Sequence, residues 1–402
     1  MLRQRWVWGV LSVVALLAAL AATVLADPDW RRVLSNPPLG RDVLSWSQAE
    51  RDAGFRMLDR VPFIVRSRSI EAREDAPTWE TGAPINIDFD MDRYFTEQHV
   101  ASVVVIHDGR IRYERYGMGF DRDGRWTSFS VAKSITSTLV GAAIADGAIG
   151  SVDDPVIRYI PELTGSAYDG VTIAQLLTMT SGVAWNEDYE DPQSDVARFD
   201  AHRAEPGQDP LVSYMSTLQR AHSPGQVWHY SSGETNMIGI VVARATGRPL
   251  ADYLSEKIWR PFGMEADATW LLDRSGGEIA GCCIQASTRD FARFGQFILD
   301  GGRVNGRAVL PDGWVATATT RQVDYGEPGF GYGYQWWTSD DGTFQADGIF
   351  GQGIFIDPSR RLVIATNSSW SRALGSEAEN QAQREMFRAF QAGIDAERAG
   401  GR

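Results

Sequence analysis

Lysine is almost missing from this chain. Its 402 residues carry 39 basic side chains, of which only Lys133 and Lys257 are lysines and 37 are arginines. A guanidinium keeps its proton throughout the working range of enzymes, so nearly all of the positive charge is excluded from base catalysis. Cysteine is equally scarce. Cys282 and Cys283 are the only two and are adjacent, which excludes a disulfide framework. They read as two small buried residues, with a vicinal disulfide in an oxidising compartment as the other reading. Five scattered histidines (His99, His107, His202, His222, His229) and no His-Glu-x-x-His leave no expected metal site or cofactor. No Gly-x-Ser-x-Gly elbow occurs either, which argues against a Ser-His-Asp hydrolase.

Positive charge is also in deficit overall. A net charge of −13 and a pI near 4.9, with no basic patch, exclude nucleic acid as a partner. What is present is an ordinary globular composition, 43% hydrophobic and 23% charged, in a chain long enough for one large or two intimately packed domains. Residues 1–26 stand apart: Arg3 and Arg5 precede an uncharged apolar run ending at Ala26. That pattern fits a secretory signal or an uncleaved membrane anchor, and either places the remainder outside the cytoplasm, periplasmic or facing outward from the membrane. Residues 27–85, rich in Pro, Arg and Asp, read as an extension wrapping the main domain, with Val61–Val65 as an apolar patch.

From Ala101, alternating Val103, Val105, Ile111 and Tyr113 flank Asp108-Gly109, a two-residue hairpin signal. Next comes Ser128-Phe129-Ser130-Val131-Ala132-Lys133-Ser134, opening an apolar series (Ile135, Leu139, Val140, Ala143, Ile144) at helical spacing that stops at Gly147. Residues three apart share a helix face, so the Lys133 amine lies beside the Ser130 hydroxyl. A serine becomes nucleophilic when a base takes its proton. A lysine can be that base once burial lowers its pKa from about 10.4 towards 7 or 8, a shift worth about 4 kcal/mol. Ser130 as a helix cap and Lys133 as a solvated side chain is the competing reading; keeping lysine here, in a chain that uses arginine almost everywhere, favours the catalytic one. The helix start also offers the Ser130 amide to an oxyanion.

Helices are expected at Val171–Met179, Thr235–Ala245, Leu250–Trp259 (ended by Pro261), Phe291–Leu299 and Ser376–Arg398. Strands are expected at Gly331–Trp337, Thr343–Gly348, Gly351–Asp357 and Arg361–Asn367. Strands at both ends with helices between predict an α/β (α+β) fold: one antiparallel sheet assembled from N- and C-terminal segments, with a helical subdomain at about 150–285 inserted in a catalytic domain spanning 86–398. The loop Trp185–Asp191 is acidic and aromatic, and is either a solvated connector or one wall of a cleft. Trp185, Tyr189, Trp336 and Trp337 are candidates for aromatic walls or for core.

Two further stretches, Tyr230-Ser231-Ser232 and Asp347-Gly348-Ile349-Phe350-Gly351-Gln352, complete with Ser130-x-x-Lys133 a pattern that resembles the serine β-lactamase-like hydrolases. That group holds class C β-lactamases, DD-peptidases, family VIII esterases and 6-aminohexanoate-dimer hydrolases. Leu176–Gly182 and Ser287–Gly295 support the resemblance, which covers about residues 95–370. It implies Ser130 as acylated nucleophile, Lys133 as general base and Tyr230 as the phenol relaying a proton to the leaving group, kept partly ionised by Lys133. It also implies the backbone amides of Ser130 and Ile349 as oxyanion hole. Ser232, Asp347 and Gly348, with Tyr189 and Trp337, are the expected substrate-binding residues.

Two departures from the pattern narrow the function. Tyr-x-Asn is Tyr230-Ser231-Ser232 here, and Lys-Thr-Gly is Asp347-Gly348-Ile349, so the lysine that helps bind a substrate carboxylate is replaced by a residue that repels one. Both point to carboxylic esters or small linear amides of the 6-aminohexanoate-oligomer kind as the small-molecule substrate. The alternatives are a DD-peptidase or β-lactamase, or a catalytically silent module on the same fold.

Overall fold

A computed structural model describes residues 22, 24–38, 43–60 and 66–400, apart from the Asp200 side chain. Most of the 1–26 run and all of Val61–Val65 lie outside these residues. No helix among the described residues is long and apolar enough to cross a membrane.

The hairpin forms where Asp108-Gly109 requires it. Both residues take positive φ (49° and 74°), the mirror-image turn whose twist matches paired strands. Counting strands along the chain, β1 is Arg66–Ile70, β2 Val100–His107, β3 Arg110–Tyr116, β4 Trp126–Thr127, β5 Ala268–Leu272, β6 Ile284–Ala286, β7 Arg303–Val304, β8 Arg307–Ala308, β9 Phe330–Tyr332, β10 Trp337–Ser339, β11 Phe344–Gly348, β12 Gln352–Asp357 and β13 Leu362–Ser368. The principal sheet is antiparallel, in the order β3-β2-β13-β12-β11-β10-β9, so N-terminal β2 pairs directly with C-terminal β13. A second sheet, β1-β5-β6-β4, was not signalled by any periodic run; β4 and β6 are two and three residues long.

Four helices frame the principal sheet and the site: α1 (Val131–Ala145), α2 (Ser232–Thr246), α3 (Thr288–Leu299) and α4 (Glu377–Gly400). Alternation along the central strands sorts their side chains into two cores. Val104, Ile106, Ile354, Ile356, Val363 and Ala365 join the core shared with α1, α2 and α3. Val103, Val105, Phe355, Leu362 and Ile364 face the opposite way, into a core with Met386, Phe387, Phe390 and Ile394 of α4. The result is three layers, with the helical insert, including α2, beside α1.

Three expectations needed correction. Gly331–Trp337 is two strands, not one, because Gln335 turns left-handed (φ 63°) and leaves the sheet. Its buried side chain donates to the Leu176 and Leu177 carbonyls and accepts from Thr235, while its carbonyl accepts from Ser134 on α1. A strand would lose these bonds. The helix from Leu250 does not stop at Pro261; it widens over Ser255–Trp259 and ends at Gly263 (φ 83°), with Pro261 inside its last turn, Arg260–Phe262. Cys282 and Cys283 are bonded to each other.

Gly295 on α3 shows how closely the helix lies on the sheet: a Cβ there would come 2.5 Å from Val363 Cγ1 and 2.8 Å from Ile354 Cγ2. Gly295→Ala is therefore expected to lower stability by about 1–3 kcal/mol through overpacking. Urea denaturation reads this as a lower midpoint at unchanged slope.

Candidate active site

Ser130 sits at the end of a tight turn that delivers it to α1. Phe129 before it is left-handed (φ 41°), and Ser128 is fixed to β6 in both directions, Ser128 N donating to Ile284 O at 2.8 Å and Ile284 N to Ser128 Oγ at 2.9 Å. A left-handed phenylalanine needs support from its surroundings. Phe129 finds it in a cluster with Phe55 (centroids 4.9 Å apart) and Phe350 (5.5 Å), and Phe350 is itself left-handed (φ 62°). Phe55 belongs to the N-terminal extension, whose described parts thus reach the floor of the site. Ser130 is the N-cap of α1, yet its hydroxyl makes no capping bond, so the reading of this serine as a plain helix cap fails.

The hydroxyl turns instead to Lys133, whose Nζ lies 3.1 Å from Ser130 Oγ, 2.9 Å from Ser232 Oγ and 2.8 Å from the Gly281 carbonyl. Lys133 is 2% exposed. Burial drives its pKa down to about 8, against an opposing pull from the Glu187 carboxylate. The amine is therefore partly neutral near neutral pH, as a base must be. Lys257, by contrast, pairs with Asp146 away from the site.

Tyr230 and Ser232 arrive at the start of α2. The Tyr230 hydroxyl lies near Ser130, and its ring lies beside the lysine, with Nζ 5.1 Å from the centroid. Burial, reinforced by Glu187, pushes the phenol well above its usual range. Tyr230 is thus a protonated donor and not the partly ionised phenol expected from the sequence.

Glu187 is the residue that the sequence did not single out. Its carboxylate accepts from Ser232 N at 2.9 Å, Ser232 Oγ at 2.5 Å, Tyr189 Oη at 2.8 Å and Trp185 Nε1. The acidic composition of the 185–191 loop was the available signal, but nothing local shows that Glu187 and not its neighbours turns inward.

Opposite α1, the end of β11 approaches the nucleophile. A Cβ on Gly348 would fall 2.6 Å from Ser128 O and 3.2 Å from Ser130 N, so only glycine allows this approach. Ile349, the next residue, lines the same cleft as Ser130. Gln352 holds the bend, its amide donating to the carbonyls of Ile349, Phe350 and Ser368.

A cleft of about 750 Å³ opens over Ser130 and is lined by Glu187, Tyr189, Tyr230, Trp337, Asp347, Gly348, Ile349 and the segment 370–375, among others. All nine site residues expected from the sequence therefore converge: Ser130, Lys133, Tyr230, Ile349, Tyr189, Ser232, Asp347, Gly348 and Trp337. Trp337 stacks on Tyr230 (5.9 Å, 20°), whereas Trp336 is core, parallel to Phe294, and Trp185 is buried with its N–H on Glu187. Among the cleft residues Glu187, Asp188, Glu190 and Asp347 are acidic and Arg372 alone is basic. Burial raises the Asp347 pKa to about 6.

A family model described as Beta-lactamase matches residues 91–385. The 6-aminohexanoate-dimer hydrolase of Paenarthrobacter ureafaciens is 32% identical over 344 residues, covering 81% of this chain and 87% of the relative. Esterase EstB of Burkholderia gladioli is 25% identical, covering 79% and 95%. Among solved structures, a Bacillus anthracis protein provisionally named 6-aminohexanoate-dimer hydrolase has a TM-score of 0.75 at 24% identity, covering 87% of this chain and 95% of that one. It shares the fold.

The buried amine sets a pH dependence. If Lys133 is the base expected from the sequence, it acts only when neutral, so kcat/KM should rise with pH through a midpoint near 8, where the folded pKa lies. Lys133→Arg, unable to release a proton, should abolish activity across the whole profile. Initial rates on one ester from about pH 6 to about pH 10 check both.

Proposed function

This chain belongs to the beta-lactamase family of serine hydrolases, and on that basis we propose that it cleaves carboxylic esters or small linear amides through an acyl-enzyme on Ser130. The observation that carries the reading is the 3.1 Å approach of a buried lysine, with its pKa near 8, to a serine hydroxyl that caps nothing. Ser130 Oγ attacks the substrate carbonyl carbon as its proton passes to Lys133 Nζ. The carbonyl oxygen takes the negative charge and is held by the amides of Ser130 and Ile349, worth about 3–4 kcal/mol per donor in a dry site. As the C–O or C–N bond breaks, the protonated Tyr230 gives its proton to the departing oxygen or nitrogen and recovers one from the lysine ammonium. Water then repeats the cycle on the acyl-enzyme and frees the acid.

The acidic cleft supports the choice within this class. Four carboxylates against one guanidinium repel a substrate carboxylate and favour a neutral or amino-terminated chain. The ammonium end of an aminohexanoate oligomer, the kind of molecule in the Paenarthrobacter relative's name, suits this cleft, provided that its far carboxylate lies away from these walls; a β-lactam or peptidoglycan stem, whose carboxylate sits close to the scissile bond, is disfavoured. For location, the apolar run behind Arg3 and Arg5 supports export, as a cleaved signal or an anchor. N-terminal sequencing of protein recovered from membrane and soluble fractions distinguishes these.

Release of p-nitrophenol from a short-chain p-nitrophenyl ester is expected from the full chain. Ser130→Ala should lower it by at least about 1,000-fold. Mass spectrometry should find the acyl group on the peptide containing Ser130. Covalent labelling by a fluorescent penicillin without ester turnover would transfer the assignment to the penicillin-binding branch.

A further inference from the structure

We propose that Glu187 is a positioning residue that fixes the direction of the Ser232 hydroxyl hydrogen and so turns the lone pair of Lys133 towards Ser130. The proposal rests on the serine-hydrolase reading above. It stems from a count of hydrogens. A neutral amine has two N–H bonds and one lone pair, whereas Lys133 Nζ has three neighbours within hydrogen-bond distance. The Gly281 carbonyl only accepts, so it takes one N–H. Ser232 Oγ could either accept from the amine or donate to its lone pair, and the second arrangement would occupy the base.

Glu187 removes that choice. An ionised carboxylate only accepts, and Oε1 lies 2.5 Å from Ser232 Oγ. The Ser232 hydrogen is therefore committed to Glu187, and Ser232 offers Lys133 a lone pair. The second N–H goes there, leaving the amine lone pair for the hydrogen of Ser130. The carboxylate is itself held from three sides: by the free amide of Ser232 in the first turn of α2, by Tyr189 Oη and by Trp185 Nε1. The Gly281 carbonyl is held too, since the amide of the same residue donates to Asn236 Oδ1 at 2.7 Å. Both hydrogens of the neutral amine are thus directed, and its lone pair is left for the hydrogen of Ser130.

The charges around this centre come from several elements. Glu187 faces Lys133 from the loop and Tyr230 stands at the entry to α2, while Tyr189, Tyr332 on β9 and Asp347 on β11 lie behind these two. Among them, Glu187 is the acidic group that acts on the lysine. Removing its charge should make the ammonium less stable and move the acidic limb of the rate profile to lower pH.

The test is a double-mutant cycle on Glu187→Gln and Ser232→Ala, with p-nitrophenyl ester turnover followed across pH in proteins of unchanged circular dichroism. An amide that keeps its oxygen on Ser232 N and Trp185 Nε1, two groups that only donate, must present NH2 to Ser232 Oγ and turn that hydroxyl onto the lysine. In the Ser232 background Glu187→Gln should lower the high-pH plateau of kcat by about 10- to 100-fold at little change in KM, with the limb moved down. In the Ser232→Ala background the plateau should no longer respond, because no hydroxyl remains to turn, while the limb still moves. Equal plateau losses in both backgrounds, or an unmoved limb in the Ser232 background, would overturn the proposal. Absence of Ser130-dependent turnover in the unsubstituted protein would instead overturn the hydrolase reading beneath it.

Discussion

The desolvation of one amine governs this molecule. Lys133 is held 2% exposed and takes only three polar contacts, so its ammonium is stabilised far less than in water and its pKa comes down to about 8. Burying a basic group unpaired is costly, and the fold arranges the least costly form of it. A carbonyl and two hydroxyls satisfy the amine without neutralising it. The nearest carboxylate, Glu187, is separated from it by Ser232 and does not form a direct ion pair. A direct pair would hold the proton on the lysine and silence the base.

Around that amine the backbone is shaped by residues in unfavourable conformations. Phe129 and Phe350 flank the two amides that would hold an oxyanion, both with φ in the left-handed region that favours glycine. Their rings pack on each other and on Phe55, so burial of apolar surface offsets the local strain. Phe55 comes from the N-terminal extension, and Arg51 of the same segment stacks over Phe350 and donates to the Ser371 carbonyl at the cleft rim. A segment that reads from sequence as peripheral wrapping thus supports the centre of the site.

The same arrangement relates the charge of the cleft to its chemistry. Glu187 and Asp347 both line the cleft, where a substrate carboxylate would meet repulsion from each. Tyr230 lies near both and stays protonated because burial and Glu187 disfavour a phenolate. In the proposed reaction it therefore starts as the acid that a leaving amine or alkoxide needs, with the lysine as the base. Two groups with similar pKa values in water are pushed in opposite directions by one environment, since burial raises a phenol and lowers an amine.

The helix that carries Ser130 and Lys133, the hairpin at Asp108-Gly109 and most strands of the principal sheet were legible in the amino-acid sequence, because each rests on local chemistry, whereas Tyr230, Ile349, Ser232, Asp347 and Gly348 were expected only through the resemblance of their motifs. A three-residue spacing puts two side chains on one helix face, an Asp-Gly pair favours one turn, and a rare lysine is visible as composition. It took the folded chain to show which way Glu187 points, that Gln335 breaks a strand to brace α1, that Cys282 and Cys283 join, and that Tyr230 keeps its proton. The first two depend on partners far away in sequence, Ser232 for Glu187 and Leu177 and Ser134 for Gln335, and the last on the exclusion of water from the site. Neither a distant partner nor a local dielectric is written in the residues beside them.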